Sequence, residues 1–179
     1  MNPDKYAMTY ASPVGLLTIA GGGESITGLW IENQKYFGDI TGCKTYGNDL
    51  PVFQKTREWL DFYFSGKEPD FMIPLHPKGG AFRQAVWEIL RAIPYGNVIT
   101  YGEIAKRLEK SSGKRVSAQA VGGAVGHNPI SILIPCHRVV GTNGSLTGYA
   151  GGIGKKAWLL TLEGADMRGL FVPGKGTAL

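Results

Sequence analysis

A chain of 179 residues, 43% of them apolar and 18% charged, can bury one large core or two small ones. Its 19 basic against 14 acidic residues leave a net charge of +5, which favours a polyanionic partner such as nucleic acid. No stretch approaches the ~20 apolar residues of a membrane span, residues 1–10 lack a secretion-signal core, and Cys43 and Cys136 form no CxxC pattern, so reduced cytoplasmic thiols and no membrane partner are expected.

Residues 8–12, 16–20 and 26–31 read as strands, separated by the turn signals Ser12-Pro13-Val14-Gly15 and Gly21-Gly22-Gly23-Glu24. They predict an antiparallel meander. Leu50-Pro51 opens a helix in which Val52, Phe53, Thr56, Trp59, Leu60, Tyr63 and Phe64 fall at helical spacing, closed by Gly66. One face of that helix should cover the sheet. The segment 66–80, with three prolines and Gly79-Gly80, has the composition of a linker. A boundary near Lys78 divides the chain into an N-terminal α/β domain over 1–78 and a C-terminal domain over 79–179.

Phe82, Ala85, Val86, Ile89, Leu90 and Ile93 then form the apolar stripe of an amphipathic helix, stopped by Pro94 and Gly96. Thr100-Tyr101-Gly102-Glu103 has capping-box spacing and starts a helix whose apolar face is Tyr101, Ile104, Ala105 and Leu108. A polar break is expected over 109–115, before a second cap at Ser117 and a short helix over 118–126; the pair suggests a helix-turn-helix. An apolar run, 132–135, leads into Cys136. Beyond it lie Val139-Val140, a Gly-rich loop over 141–154 and a last helix over 155–162. The expected fold class is mixed α/β of the α+β kind: a small antiparallel sheet with a covering helix, then a mainly helical domain.

Two segments can carry chemistry. In the helix 118–126 nearly every side chain is small, and Gly122 and Gly123 each cost about 1 kcal/mol relative to alanine. Close helix packing or a turn would explain them; so would a helix kept bare for a nucleic-acid backbone, with Lys114, Arg115 and the helix N-terminus at phosphates. Cys136, in Pro135-Cys136-His137-Arg138, is either a small buried hydrophobe or a nucleophile. A nucleophilic thiol needs a neighbouring base or cation, and His137 is nearest, with a bridging water as the more natural link between side chains adjacent in sequence. A carboxylate behind the imidazole would orient it. Glu163, where the chain returns after the last helix, is the candidate.

Residues 132–140, ILIPCHRVV, resemble the active-site signature of the O6-alkylguanine-DNA alkyltransferases. The similarity extends through Pro94-Tyr95-Gly96, Thr100-Tyr101-Gly102, Ala120-Val121-Gly122, Asn128-Pro129, Gly148-Tyr149-Ala150-Gly151-Gly152 and Trp158-Leu159-Leu160 to Glu163-Gly164. It implies direct DNA repair without a cofactor: Cys136, ionised through a water, His137 and Glu163, takes an alkyl group from O6 of a flipped guanine, once and irreversibly. It assigns Tyr101 to the 3' phosphate and the departing base. The carbonyls of Cys136 and Val139 would accept from the guanine amino group, the amide near Ala150 would donate to O6, Tyr149 would wall the pocket, and Asn128 would brace the loop before Pro135.

For DNA the resemblance implies a monomer binding the minor groove of alkylated double-stranded DNA through Arg115, Ser117, Gln119, Ala120, Gly122 and Gly123. Gln119 stands where many relatives carry an arginine that fills the gap left by the flipped base. Glutamine lacks guanidinium charge and stacking plane. Some relatives hold zinc in the N-terminal domain; Cys43, with only His76 near in sequence, gives no such set here, and no metal is expected. The alternative function is alkylguanine recognition without transfer, as in relatives that carry tryptophan in place of the cysteine.

Overall fold

The computed structural model describes residues 6–38, 40, 42–43 and 50–174. The chain forms two compact units: one runs to Lys78 and includes Pro129–Leu133, the other comprises Gly79–Asn128 and the chain from Ile134 onward.

In the first unit β1 (Tyr6–Ser12), β2 (Gly15–Gly22) and β3 (Ser25–Ile31) make an antiparallel sheet in the order β1-β2-β3, the meander expected from the turn signals. Its register shifts between Ala20 and Gly21, where a side chain on Gly21 would lie 2.6 Å from the Ser25 carbonyl oxygen. Helix α1 (Pro51–Phe64) begins with proline at its first turn, where no amide donor is lost. It buries Val52, Phe53, Thr56, Leu60 and Tyr63, packs on β1 and β3, and is tied to the sheet by the Tyr10 hydroxyl donating to Asp61 at 2.7 Å. Residues 129–133, far away in sequence, also belong here: Leu29 N donates to Pro129 O and Ser131 N to Leu29 O. Within that segment Ile132 has φ 70°, a conformation that costs a β-branched residue about 1–2 kcal/mol.

The second unit is mainly helical. Helix α2 (Ala81–Arg91) buries Val86, Trp87 and Leu90; of the expected stripe, Phe82 is 41% exposed and Ile93 is buried beyond the helix end. The two-residue strand β4 (Ile99–Thr100) leads directly into α3 (Tyr101–Ser112). Thr100 accepts the Glu103 amide while Glu103 accepts the Thr100 amide at 2.8 Å, the reciprocal cap read from the sequence. Helix α3 runs through the first part of the polar stretch expected to break it. Residues 109–112 form its solvated last turn, and the stop is Gly113 at φ 68°.

Ser117 then caps α4 (Ala118–Gly126), its hydroxyl accepting the Ala120 amide at 3.1 Å. Trp87 Nε1 donates to the Ala124 carbonyl at 2.9 Å, fixing α4 on α2. A short strand β5 (Val139–Val140) pairs in parallel with β4, and α5 (Ile153–Leu162) closes the fold. Val140, Leu146, Leu160 and Ala165 form a core cluster here, above which Leu146 N donates to Phe171 O and Phe171 N to Gly144 O. Among the described residues no helix is long and apolar enough to cross a membrane.

Candidate active site

Pro135 leads into a 3-10 turn, Cys136–Arg138, whose three side chains are all buried: Cys136 is 4% exposed, His137 0% and Arg138 8%. The approach to the turn is braced by Asn128, whose side-chain amide donates to the Ile134 carbonyl at 2.8 Å and also hydrogen-bonds the Cys136 sulfur. Beyond the turn, pairing of β5 with β4 holds Val139 in place.

Helix α5 packs on this turn and brings two charged residues to it, Lys156 at 0% exposure and Glu163, its C-cap, at 5%. Glu163 gathers four donors. His137 Nε2 lies 2.6 Å from its Oε1, and Arg138 donates to it twice, from Nε at 2.8 Å and Nη2 at 3.1 Å. The amide of Gly96 supplies the fourth at 3.1 Å. Gly96, at φ 72°, has no room for a side chain, since a Cβ would sit 2.8 Å from the Glu163 backbone oxygen. The third arm of Arg138, Nη1, donates to the Ile93 carbonyl at 2.6 Å, and its guanidinium lies over the Tyr95 ring.

Electrostatics follow from this burial. Desolvation works to raise the Glu163 carboxyl, but the hydrogen bonds and charges of His137 and Arg138 outweigh it and hold the group at about 2. Burial pushes His137 down; Glu163 opposes that, while Arg138 and Lys156 add to it. The imidazole is therefore neutral, and an Nε2–H given to Glu163 leaves the lone pair on Nδ1. Burial raises the Cys136 thiol, with Asn128, Lys156 and nearby backbone amides pulling the other way. Lys156 is brought down by burial to about 8, with Cys136 opposing, so it still carries charge at neutral pH. Arg138, on Glu163, and Lys156, on the Val139 and Thr147 carbonyls, are thus two buried cations, and Lys156 favours the thiolate once the Cys136 proton leaves.

The remaining candidates divide by location. The Tyr101 hydroxyl donates to the carbonyls of Thr147 and Gly148, 3.1 Å from each, and burial, then Cys136, raises its pKa. Tyr149 stands edge-on to His137 at 6.4 Å, its buried hydroxyl without a hydrogen-bond partner among the described residues. Ala150 is half-buried on the same loop. The Val139 carbonyl already accepts a hydrogen bond from Lys156 Nζ, which also reaches the Thr147 carbonyl at 2.9 Å.

Arg115, Ser117, Gln119, Ala120 and Gly123 are exposed on and before α4, and Gly122 is half-buried. Lys114 and Arg115 line an open concavity of about 420 Å³ with Glu109 and Gly113. A Cβ on Gly123 would meet nothing within 4 Å, and one on Gly122 would only touch the Tyr101 ring at 3.9 Å. Close packing therefore does not require either glycine. Tyr101 links the two groups, its ring beside Gly122 and its hydroxyl on the loop that carries Tyr149.

Sequence reasoning passed over Lys156 and gave Arg138 no partner. A signal for Lys156 was present: it shares a face of α5 with Leu159, Leu160 and Glu163, a cation on an apolar stripe.

A buried thiol, an imidazole and a carboxylate in this order, beside a bare capped helix, are what a protein doing cysteine chemistry on a bulky partner requires. Residues 81–165 match the family model described as 6-O-methylguanine DNA methyltransferase, DNA binding domain, and residues 5–77 match 6-O-methylguanine DNA methyltransferase, ribonuclease-like domain. The chain is 48% identical over 159 residues to the methylated-DNA–protein-cysteine methyltransferase of Haemophilus influenzae, covering 88% of this chain and 86% of that protein. With the protein of the same name from Mycolicibacterium paratuberculosis it shares 44% identity over 155 residues, 87% of this chain and 90% of that one. The crystal structure of Mycobacterium tuberculosis OGT in complex with DNA superimposes with a TM-score of 0.78 at 42% identity, over 88% of this chain and 92% of that one. The chain belongs to the O6-alkylguanine-DNA alkyltransferase family.

Proposed function

We propose that this protein repairs DNA by transferring a methyl or other alkyl group from O6 of guanine to the sulfur of Cys136. The observation that carries the reading is the buried Cys136 turn, its imidazole bound to Glu163 at 2.6 Å, in a chain whose two halves both match the family. The Cys136 proton passes to His137, through a water where the side chains do not meet. The sulfur attacks the alkyl carbon, and the S–C bond forms as the C–O6 bond breaks. The guanine leaves with its electron pair on O6, which the amide near Ala150 and the Tyr101 hydroxyl stabilise by donating hydrogen bonds. The product is a thioether, a poor leaving group, so each molecule acts once.

The substrate is alkylated double-stranded DNA, bound by a monomer in the cytoplasm. O6 is out of reach inside the base stack, so the nucleotide is extruded at a cost of a few kcal/mol. The exposed face of α4 enters the minor groove, where Gly122 and Gly123 allow close approach; Gln119 occupies the gap, and Arg115 with the capped N-terminus at Ser117 meets phosphate. For substrate to enter, Tyr101 exchanges its bonds to Thr147 and Gly148 for the nucleotide, and the Cys136 and Val139 carbonyls accept from the base with their second lone pairs. Tyr149 walls the pocket, and Asn128 holds the sulfur and its approach.

Incubation with DNA containing O6-methylguanine tests this by intact mass. One methyl group gained per protein, at Cys136 and absent in Cys136→Ala, is the expected result. DNA binding with no mass gain would make the protein a recognition module, and many product molecules per protein would make it a turnover enzyme.

A further inference from the structure

Arg138 is a buried cation that the transfer step does not use. Its three arms are all committed: Nε and Nη2 to the two oxygens of Glu163, Nη1 to the Ile93 carbonyl, with the Tyr95 ring beneath the guanidinium. Glu163 therefore sits between a permanent cation and His137. A buried carboxylate facing an imidazole alone would favour the imidazolium strongly. Here the carboxylate is already neutralised by a bidentate partner, and it keeps only a hydrogen-bond acceptor for the ring. The groups facing His137 are Glu163 and Lys156 from α5, Tyr149 from the loop, and Cys136 and Arg138 from its own turn. Of these, only Glu163 draws a proton toward the ring, and Arg138 is the group bonded to it.

We infer that Arg138 is a positioning residue which, by neutralising and orienting Glu163, keeps the Cys136–His137 pair at one shared proton at neutral pH, so that His137 can receive the thiol proton. The inference rests on the alkyl-transfer reading, and its test is separable from it. A second proton on the pair would give thiol and imidazolium together, a form with neither nucleophile nor base. Losing the guanidinium charge makes that second protonation easier.

The experiment follows His137 by NMR in histidine-labelled protein, where the chain's other two histidines, His76 and His127, serve as internal references. In parallel it measures the pH profile of methyl transfer from O6-methylguanine DNA. In Arg138→Gln the His137 titration and the acid limb of the profile move up by about 1–3 units. In Arg138→Lys, which keeps the charge but cannot span both oxygens, the limb stays near wild type while transfer slows by up to about a hundredfold. A folded Arg138→Gln protein with an unmoved or lowered limb overturns the inference, as does an Arg138→Lys limb displaced as far as that of the glutamine variant. Should Arg138→Gln fail to fold, Arg138→Lys decides alone: slowed transfer with the limb near wild type is expected, and transfer at the wild-type rate, or a limb displaced upward by about 1 unit or more, overturns the inference. Because the NMR titration requires no DNA, absence of methyl transfer in the wild-type protein would sink the functional reading and leave this result standing by itself.

Discussion

Glu163 is the residue on which His137, Arg138 and the Gly96 amide converge, and removing its charge has a calculable consequence. Glu163→Gln leaves Arg138 buried without a counter-charge, which is expected to cost about 3–5 kcal/mol of stability in urea denaturation. The same residue makes a pH prediction. Its carboxyl sits at about 2 in the folded chain against an ordinary 4.5, so on acidification the unfolded chain takes up the proton first. Stabilisation from this group is complete above 4.5 and is lost as pH falls toward 2. Wild-type stability should therefore drop across that window, on the order of 3 kcal/mol, and the slope should flatten in Glu163→Gln. A variant with the wild-type slope would show that acid sensitivity originates elsewhere.

At the scale of elements, α4 carries the sharpest test. With open space around a Cβ at Gly123, Gly123→Ala is expected to stabilise the fold by about 0.5–1 kcal/mol and to weaken binding to double-stranded DNA. A gain in stability with unchanged affinity would show that the helix was not kept bare for the nucleic acid. Elements were the most legible level in the sequence, because their signals are local: the meander from Ser12-Pro13 and the glycine run, α1 from Pro51, α3 from the Thr100 and Glu103 spacing. The expected break at Glu109 failed for a physical reason. Polarity marks a solvated face as readily as a loop, and the true stop was the left-handed Gly113. Lys156 escaped because a lysine on an apolar stripe is ordinarily discounted as a snorkelling surface residue, and the carbonyls it satisfies, Val139 and Thr147, stand in the strand and loop before α5 at no periodic spacing from it. The return of residues 129–133 to pair with Leu29 is likewise non-local and left no periodic trace. Of the site, the Cys136, His137 and Glu163 positions were readable through the family resemblance; from spacing alone Glu163 was one candidate among solvated glutamates.

For the whole molecule, a net charge of +5 and a DNA partner predict binding governed by counterion release. The logarithm of the association constant should fall linearly with the logarithm of salt concentration, and replacing Arg115 by alanine should reduce that slope by about 1 if the side chain meets a phosphate. An unaltered slope would remove Arg115 from the interface.

The 4% exposure of Cys136 has a consequence for the protein's shelf life. A single-use reagent is lost to the cell whenever a passing peroxide or soluble electrophile consumes its sulfur. A thiol enclosed by its own fold, and raised in pKa by that enclosure, stays largely inert toward such small molecules. On the proposed reading its reactivity is reserved for an extruded nucleobase, which would keep a standing stock of molecules intact between episodes of damage.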